Sequence, residues 1–252
     1  MISNKITSCR SCRSKNLIYL LSLGEQYLPV FSRSQNKNKK SPLELVLCPE
    51  CFLVQLNHTV HQELLYNENY GYRSGINQTM KNELKEIVEE AERVVNLKNQ
   101  IAVDIGCNDG TLLSFYPPST TRVGYDPSLG TILGNSNNLM SICLDNVSKT
   151  KYKIFRDYFQ KESYLQEFRK AKVVTAIAMF YDLDDPNLFL EDVKAILDEK
   201  GVFIIQQNYL LSMIENMAFD NIVHEHLGYY SLTSLENLLR KHGLEIFMVK
   251  YS

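Results

Sequence analysis

Residues 101–110 read I-A-V-D-I-G-C-N-D-G, an apolar run interrupted by Asp104 and closed by a turn of Gly106, Cys107, Asn108, Asp109 and Gly110. A short apolar strand ending in a glycine turn is the signature of a parallel sheet buried on both faces, with ligand at its carboxyl edge. The dinucleotide fingerprint needs G-x-G-x-x-G so that backbone can approach a pyrophosphate. This turn is instead D-x-G-x3-G, and its acids Asp104 and Asp109 would repel phosphate.

Working outward, further short apolar runs cover Arg122 to Tyr125, Tyr152 to Phe155, Val173 to Ala178, Val202 to Gln206 and Leu244 to Val249. Helical patterns fall at Leu188 to Leu197 and at Leu232 to Lys241, the latter ending at Gly243 as a C-cap. Upstream, Met80, Leu84, Ile87, Val88, Ala91 and Val95 recur at helical spacing and predict one amphipathic helix leading into the sheet. The expected architecture is α/β, a doubly wound sheet with a small N-terminal module.

The turn suits a ligand with a positive centre, a carboxylate and a ribose, and S-adenosylmethionine has all three. Its carboxylate would meet free N–H groups at the helix start, and its ammonium an Asp or backbone carbonyls. Asp126 ends the next strand, 20 residues beyond Gly106, where an acid accepts hydrogen bonds from ribose hydroxyls. Asp157, Tyr158 and Phe159 follow the third strand and are placed to flank an adenine. Asp104, Gly106, Asn108, Asp126, Asp157 and Tyr158 are the expected cofactor set.

Four of the six cysteines lie in the first 65 residues as Cys9-x2-Cys12 and Cys48-x2-Cys51. Each CxxC turn puts two thiolates on one side of a knuckle, and two knuckles complete a tetrahedral S4 shell, the closed structural geometry of zinc. The module boundaries are expected at 1–65 for the metal module, 66–98 for a tyrosine-rich loop and linking helix, and 99–252 for the sheet domain. Tyr66 to Gly75 reads as a loop lying over something, and Ser34 to Lys40 as a solvated loop.

Lys+Arg 27 against Asp+Glu 29 gives a formal charge of -2, so no field draws nucleic acid or an anionic membrane. No window reaches the roughly 18 apolar residues of a membrane span, and residues 1–10 carry no apolar h-region. A cytoplasmic setting is expected, where paired cysteines hold metal before they form disulfides.

C-R-S-C at 9 to 12, L-x-L-G from Leu21, C-P-E-C-F-L-V-Q-L from Cys48, Y-G-Y-R-S-G from Tyr70, D-I-G-C-N-D-G-T-L-L from Asp104 and F-D-N-I-V-H-E-H-L-G-Y-Y-S-L from Phe219 together resemble the zinc-containing sugar C-methyltransferases. The resemblance covers nearly the whole chain. It implies a class I methyltransferase fold, zinc on the four cysteines, S-adenosylmethionine on Asp104, Gly106 and Asp126, and an acceptor facing the tyrosine-rich loop and the H-E-H segment. The chain departs from the family at Val223, where Tyr is common, and at Ala178 and Asp182, where Asn and His are common. It also ends where the family continues into a third domain that helps hold the nucleotide sugar. After Leu244 to Val249 only Lys250, Tyr251 and Ser252 remain, so the sheet is expected to lack its seventh strand and to have an edge covered by another segment, a second copy or a protein partner.

Methylation of carbon beside a ketone first needs a proton removed. His226 is the favoured base, with Glu225 second and His224 also a candidate; Tyr72 and Tyr229 are placed to hydrogen-bond a developing enolate oxygen. An extended H-E-H would point both histidines one way and Glu225 the other, so all three serve one atom only if the segment turns. The alternative role for the histidines is to buttress the following helix. The expected acceptor is a small molecule, a sugar or nucleotide sugar; alternatives are O-methylation of a phosphate or hydroxyl, and a non-catalytic subunit that needs a partner.

Overall fold

A computed structural model of the chain describes residues 2–29, 39–66, 70–128 and 152–251. Most of the expected polar loop from Ser34 lies outside them, as do three residues of the tyrosine-rich loop. In chain order the strands are β1 (Ser3–Lys5), β2 (Ile18–Tyr27), β3 (Lys40–Leu47), β4 (Val54–Leu56), β5 (His58–Val60), β6 (Ile101–Ile105), β7 (Thr121–Tyr125), β8 (Tyr152–Phe155), β9 (Ala171–Ile177), β10 (Leu197–Gln206) and β11 (Gly228–Tyr229).

Five of them form one parallel sheet in the order β10-β9-β6-β7-β8. The chain runs outward from β6 through β7 to β8, then returns to lay β9 on the other side of β6. That reversal opens a crevice at the carboxyl ends of β6 and β9, where doubly wound sheets take their ligands. Every residue of β6 is buried, as a strand covered on both faces requires. The amphipathic helix Gln78–Val94 packs Leu84, Val88 and Ala91 into a core shared with Ala102, Leu112, Leu113, Tyr116, Val173 and Val202. Its start is fixed by Asn77, whose side chain accepts from the Thr79 N–H.

The chain divides into two compact units. One comprises Tyr66–Ile177 and Asp192–Gln206, with the parallel sheet; the other comprises Met1–Leu65, Ala178–Glu191 and Gln207–Tyr251. In the second unit a four-stranded sheet runs β11-β4-β3-β2, antiparallel throughout, so β11 from late in the chain extends a sheet built by the cysteine-rich segment. One apolar cluster of this unit gathers Leu43, Leu45, Leu56, Leu227 and Tyr229, and Leu53, Phe180, Leu190, Tyr230 and Leu238 are also buried in it. Helix Leu232–Lys241 is capped by Ser231 in a reciprocal bond with Ser234, and Gly243 follows it at φ 68, the left-handed turn expected there.

Leu244 to Val249, expected as a strand, carries no regular secondary structure, and Phe247, Met248 and Val249 are at least half exposed. Among the described residues the parallel sheet ends at β10 and offers this run no partner. Apolar β-forming side chains cannot hold a strand without a ladder to satisfy its N–H and C=O groups. β10 starts earlier than expected, at Leu197, and resumes regular pairing at Val202 opposite Val173 after a register shift.

Candidate functional site

The cofactor candidates lie at the carboxyl ends of β6, β7 and β8. Asp104 is 3% exposed, and its Oδ1 accepts from Thr175 Oγ1 at 2.6 Å, a bond that crosses the sheet's switch point. Burial pushes the Asp104 carboxyl up to about 7, against the Thr175 bond that pulls it down. A carboxyl desolvated this far is held ready for a cation, because an opposite charge beside it restores the ionised form. Thr175 was not singled out in the sequence, although a hydroxyl inside A-K-V-V-T-A-I marks a buried polar need at that strand end.

Gly106 has φ 74 and turns the chain so that its N–H and that of Cys107 both bond the Tyr125 carbonyl, at 2.8 and 3.0 Å. Asn108, at φ 50, sends its N–H to Asp126 Oδ2 at 2.8 Å. The other oxygen of Asp126 accepts from the Ser128 N–H and hydroxyl. Asp126 is thus fixed in place at the tip of β7 while both oxygens keep lone pairs for further donors. Thr111 N–H, which starts the short helix Thr111–Phe115, bonds Asp109 Oδ1 at 3.2 Å, so the helix start is capped by its own loop instead of offering that N–H to a ligand carboxylate. Asp157 and Tyr158 follow β8 and are exposed, with Asp157 Oδ1 accepting from Tyr158 N–H at 2.8 Å.

The tyrosine-rich segment lies over this turn. Tyr72 carbonyl accepts from Asn108 Nδ2, Ser74 N–H donates to Asn108 Oδ1, and Gly75 N–H donates to Asp109 Oδ2. Tyr72 itself is half exposed, with burial lifting its phenol above the usual tyrosine range.

H-E-H lies in the other unit and is not extended: His226 N–H bonds the Val223 carbonyl at 3.2 Å, closing a turn across the three residues. His224 is 3% exposed and its Nε2 meets the Ser41 carbonyl at 3.0 Å. A carbonyl only accepts, so Nε2 carries the proton and ties this ring to β3. His226 Nδ1 meets the Asn221 carbonyl at 2.8 Å, which by the same reasoning leaves Nε2 as a free base; its ring stands edge-on to Tyr181 at 4.5 Å. Burial holds His226 below the ordinary histidine range and so neutral at pH 7, while burial alone raises Glu225 to about 7. The segment therefore gives its side chains different surroundings, with His224 tied to β3 and His226 and Glu225 each shifted by burial toward the neutral form.

The four thiols of Cys9, Cys12, Cys48 and Cys51 lie within 4.8 Å of one another, Cys9 and Cys51 at 3.5 Å and Cys12 and Cys48 at 3.4 Å. A tetrahedral S4 shell at Zn–S of about 2.3 Å has sulfur–sulfur edges of about 3.8 Å, so the donor set and its size fit the metal. The two knuckles are copies of each other. Cys9 N–H bonds Ser14 O and Arg13 N–H bonds Cys9 O, as Cys48 N–H bonds Leu53 O and Phe52 N–H bonds Cys48 O, with Arg13 and Phe52 both left-handed at φ 65 and 62. Gln55 links them, its Nε2 donating to Cys9 Sγ and its Oε1 accepting from Arg10 N–H.

Arg10, unremarked in the sequence inside C-R-S-C, is 2% exposed; its guanidinium reaches Asp184, Leu56 O and Thr59 Oγ1. Asn187 and Lys241 bond the carbonyls of Arg10 and Ser11. These bonds bring residues from beyond position 180 into the cysteine module's own unit.

Comparison with known proteins meets this geometry from outside. Residues 9–66 match a family model described as "Putative zinc binding domain". C-methyltransferase NovU of Streptomyces niveus is 26% identical over 251 residues, 97% of this chain and 57% of NovU. A tRNA U34 carboxymethyltransferase of Campylobacter jejuni is 24% identical over 162 residues, covering 61% of this chain and 52% of its own length. The chain thus spans little more than half of these curated relatives. Among solved structures, mycolic acid cyclopropane synthase CmaA1 complexed with SAH and CTAB superposes at a TM-score of 0.51 with 12% identity, over 72% of this chain and 69% of the other, a likeness of fold. Residues 76–248 match the family model "Methyltransferase domain", and the chain belongs to that family, with the class I parallel sheet as the fold of one unit and a four-cysteine cluster that could hold a metal ion in the other.

Proposed function

We propose that the chain is an S-adenosylmethionine-dependent methyltransferase that alkylates a small sugar-like acceptor, with a structural zinc ion in its cysteine module. The observation that carries the reading is the buried Asp104 carboxyl, raised to about 7 and aimed across the switch point at Thr175, beside the Gly106 turn and the anchored Asp126. An acid so desolvated gains most from a cationic amino group, and a fixed Asp126 suits two ribose hydroxyls. S-adenosylmethionine supplies an electrophilic methyl on its sulfonium; the chain's residues bind, orient and deprotonate.

Asp104, Gly106, Asn108 and Asp126 hold the cofactor, with Asp157 and Tyr158 toward its base. His226 Nε2 takes the proton from the acceptor carbon, helped by its neutrality at pH 7 and by the Asn221 carbonyl that fixes its tautomer. Glu225 is the second proton carrier, and Tyr72 supports the developing oxygen. The base-ready His226 fits an acceptor that must lose a proton, a carbon or a hydroxyl, better than a phosphate or carboxylate; between those two the likeness to NovU, a C-methyltransferase, favours carbon.

The acceptor is a sugar or nucleotide sugar of a glycan or natural-product route. No helix of the described residues is long and apolar enough to cross a membrane, and the reduced thiols suit a cytoplasmic setting. A protein partner, or a second copy, covers the sheet edge.

The test is titration with S-adenosylhomocysteine, followed by incubation of the zinc-loaded chain with labelled S-adenosylmethionine and keto-sugar nucleotides. Label on an acceptor carbon is the expected result, and His226→Ala should lower turnover at least a hundredfold. Binding without transfer to any acceptor points to a subunit that needs a partner, and no binding overturns the reading.

A further inference from the structure

We propose that Asn108 and Asp109 are positioning residues that clasp the Tyr72 loop onto the cofactor turn, so that one short stretch of chain sets both the cofactor and the acceptor-facing loop. The inference rests on the reading of residues 104–110 as the cofactor turn.

Two consecutive side chains hold three consecutive points of a loop more than thirty residues away in sequence. Asn108 uses both ends of its amide, with Oδ1 accepting from Ser74 N–H and Nδ2 donating to Tyr72 O, each at 2.9 Å. Asp109 splits its carboxylate: Oδ2 accepts from Gly75 N–H at 2.8 Å, and Oδ1 accepts from Thr111 N–H and hydroxyl. The main-chain N–H of Asn108 meanwhile bonds Asp126 Oδ2. One residue therefore touches the proposed ribose-binding acid through its backbone and the Tyr72 loop through its side chain.

The residue types fit. Asn108 has φ 50, a left-handed conformation that Asn tolerates better than most residues, and is 8% exposed, so its amide bonds are shielded from water. A Cβ on Gly75 would stand 2.6 Å from Thr111 Oγ1 and 2.7 Å from Asp109 Oδ2, so only glycine allows the backbone to come this close. Asp109 also explains the turn's second acid, which a phosphate site would exclude: its charge is spent on main-chain donors. Fixing Tyr72 relative to Asp126 removes loop freedom that would otherwise have to be lost at the moment of reaction.

The experiment exchanges the two residues, Asn108→Asp with Asp109→Asn, which keeps the net charge. In the exchanged protein a carboxylate oxygen faces the Tyr72 carbonyl and an amide NH2 faces the Gly75 N–H, while the bonds to Ser74 and Thr111 are still available. Trypsin cleavage after Arg73 and amide exchange at Gly75 should each accelerate about tenfold, with cleavage after Arg93 and Arg169 unchanged. Asp109→Asn alone, which keeps the Thr111 cap and every residue of the cofactor set, should give a smaller acceleration of the same kind with S-adenosylhomocysteine affinity held within about threefold. In the labelled-methyl assay the acceptor KM of Asp109→Asn should rise while that for S-adenosylmethionine stays.

Unchanged cleavage after Arg73 overturns the clasp, and equal acceleration at all three arginines reduces it to general loosening. A fall in the S-adenosylhomocysteine affinity of Asp109→Asn that matches its loss of turnover makes Asp109 part of the cofactor grip and overturns its role as a clasp. If the unaltered protein fails to bind S-adenosylhomocysteine, the methyltransferase reading fails, and the ligand-free cleavage and exchange rates still decide the clasp.

Discussion

The four-thiol module and the parallel sheet hold themselves together by different means. Around the sheet, helix Gln78–Val94 and strands β6, β9 and β10 share one continuous apolar core, and the polar site sits at its rim. The thiol unit gathers Leu43, Leu45, Leu56, Leu227 and Tyr229 in one apolar cluster and buries Leu53, Phe180, Leu190 and Leu238 besides, while β2 is exposed along its whole length. Its two knuckles are held in addition by point attachments: four sulfurs, Gln55, and the buried Arg10. A region organised by points fails when one point is removed, whereas a region organised by area loses stability by degrees.

The largest test of that contrast is removal of the metal. Chelation, or Cys48→Ser, should remove about 10 kcal/mol or more of binding free energy from the cysteine module. Measured by hydrogen exchange on the full chain, the amides of β3 and β4 should lose protection while those of β6 and β9 keep it. Loss of protection in both sheets together would show that the division of labour is false, and retention in both would show that Leu43, Leu45 and Leu56 suffice without metal.

The sheet has its own single point, Asp104, and pH reaches it. In the folded chain this carboxyl titrates at about 7, against 3.8 for the unperturbed group. Between those values the folded state keeps a proton that the unfolded chain has released, so this residue makes stability fall as pH rises from about 4 to about 7 and contributes no further change above. The span corresponds to an upper bound on the order of 4 kcal/mol. Urea unfolding of the protein and of Asp104→Asn across that range should give a stability difference that grows in favour of the variant as pH rises. A constant difference would mean that Asp104 is ionised throughout. With S-adenosylhomocysteine bound the slope should flatten, because the ligand's ammonium favours the carboxylate that the empty protein resists.

How legible each region was follows from the same contrast. The cysteine cluster was readable because CxxC spacing is local and the donor chemistry has few rivals; the sheet because β6 is apolar along a length that strand geometry dictates. The places of Asp104, Gly106 and Asp126 at the carboxyl ends of β6 and β7 were readable because they sit at fixed offsets from strand ends. What escaped depends on contacts between distant segments. Arg10 looked like an ordinary basic residue until Asp184, Leu56 and Thr59 closed around it, and Thr175 became part of the site only when β9 came to lie beside β6. Leu244 to Val249 has the composition of a strand, but pairing is a property of a neighbour and no window of sequence contains one. The turn in H-E-H sends the rings of His224 and His226 to different carbonyls, those of Ser41 and Asn221, one of them in a strand 183 residues away.

The smallest effect probes the repeat hidden inside the metal module. Arg13 and Phe52 occupy the same left-handed position after the second cysteine of each knuckle, where a side chain costs about 1 kcal/mol and glycine costs little. Phe52 is 52% exposed, so little apolar burial is at stake if its ring is removed. Phe52→Gly should therefore leave the module as stable or raise its stability by up to about 1 kcal/mol, the conformational gain being offset in part by the freer unfolded chain. A competition titration of zinc with a chromophoric chelator reads this directly: affinity equal or a few-fold tighter is expected. Affinity weakened tenfold would mean that the Phe52 ring shields the thiolates from water, and the cysteine module would then depend on covered area as well as on its points of attachment.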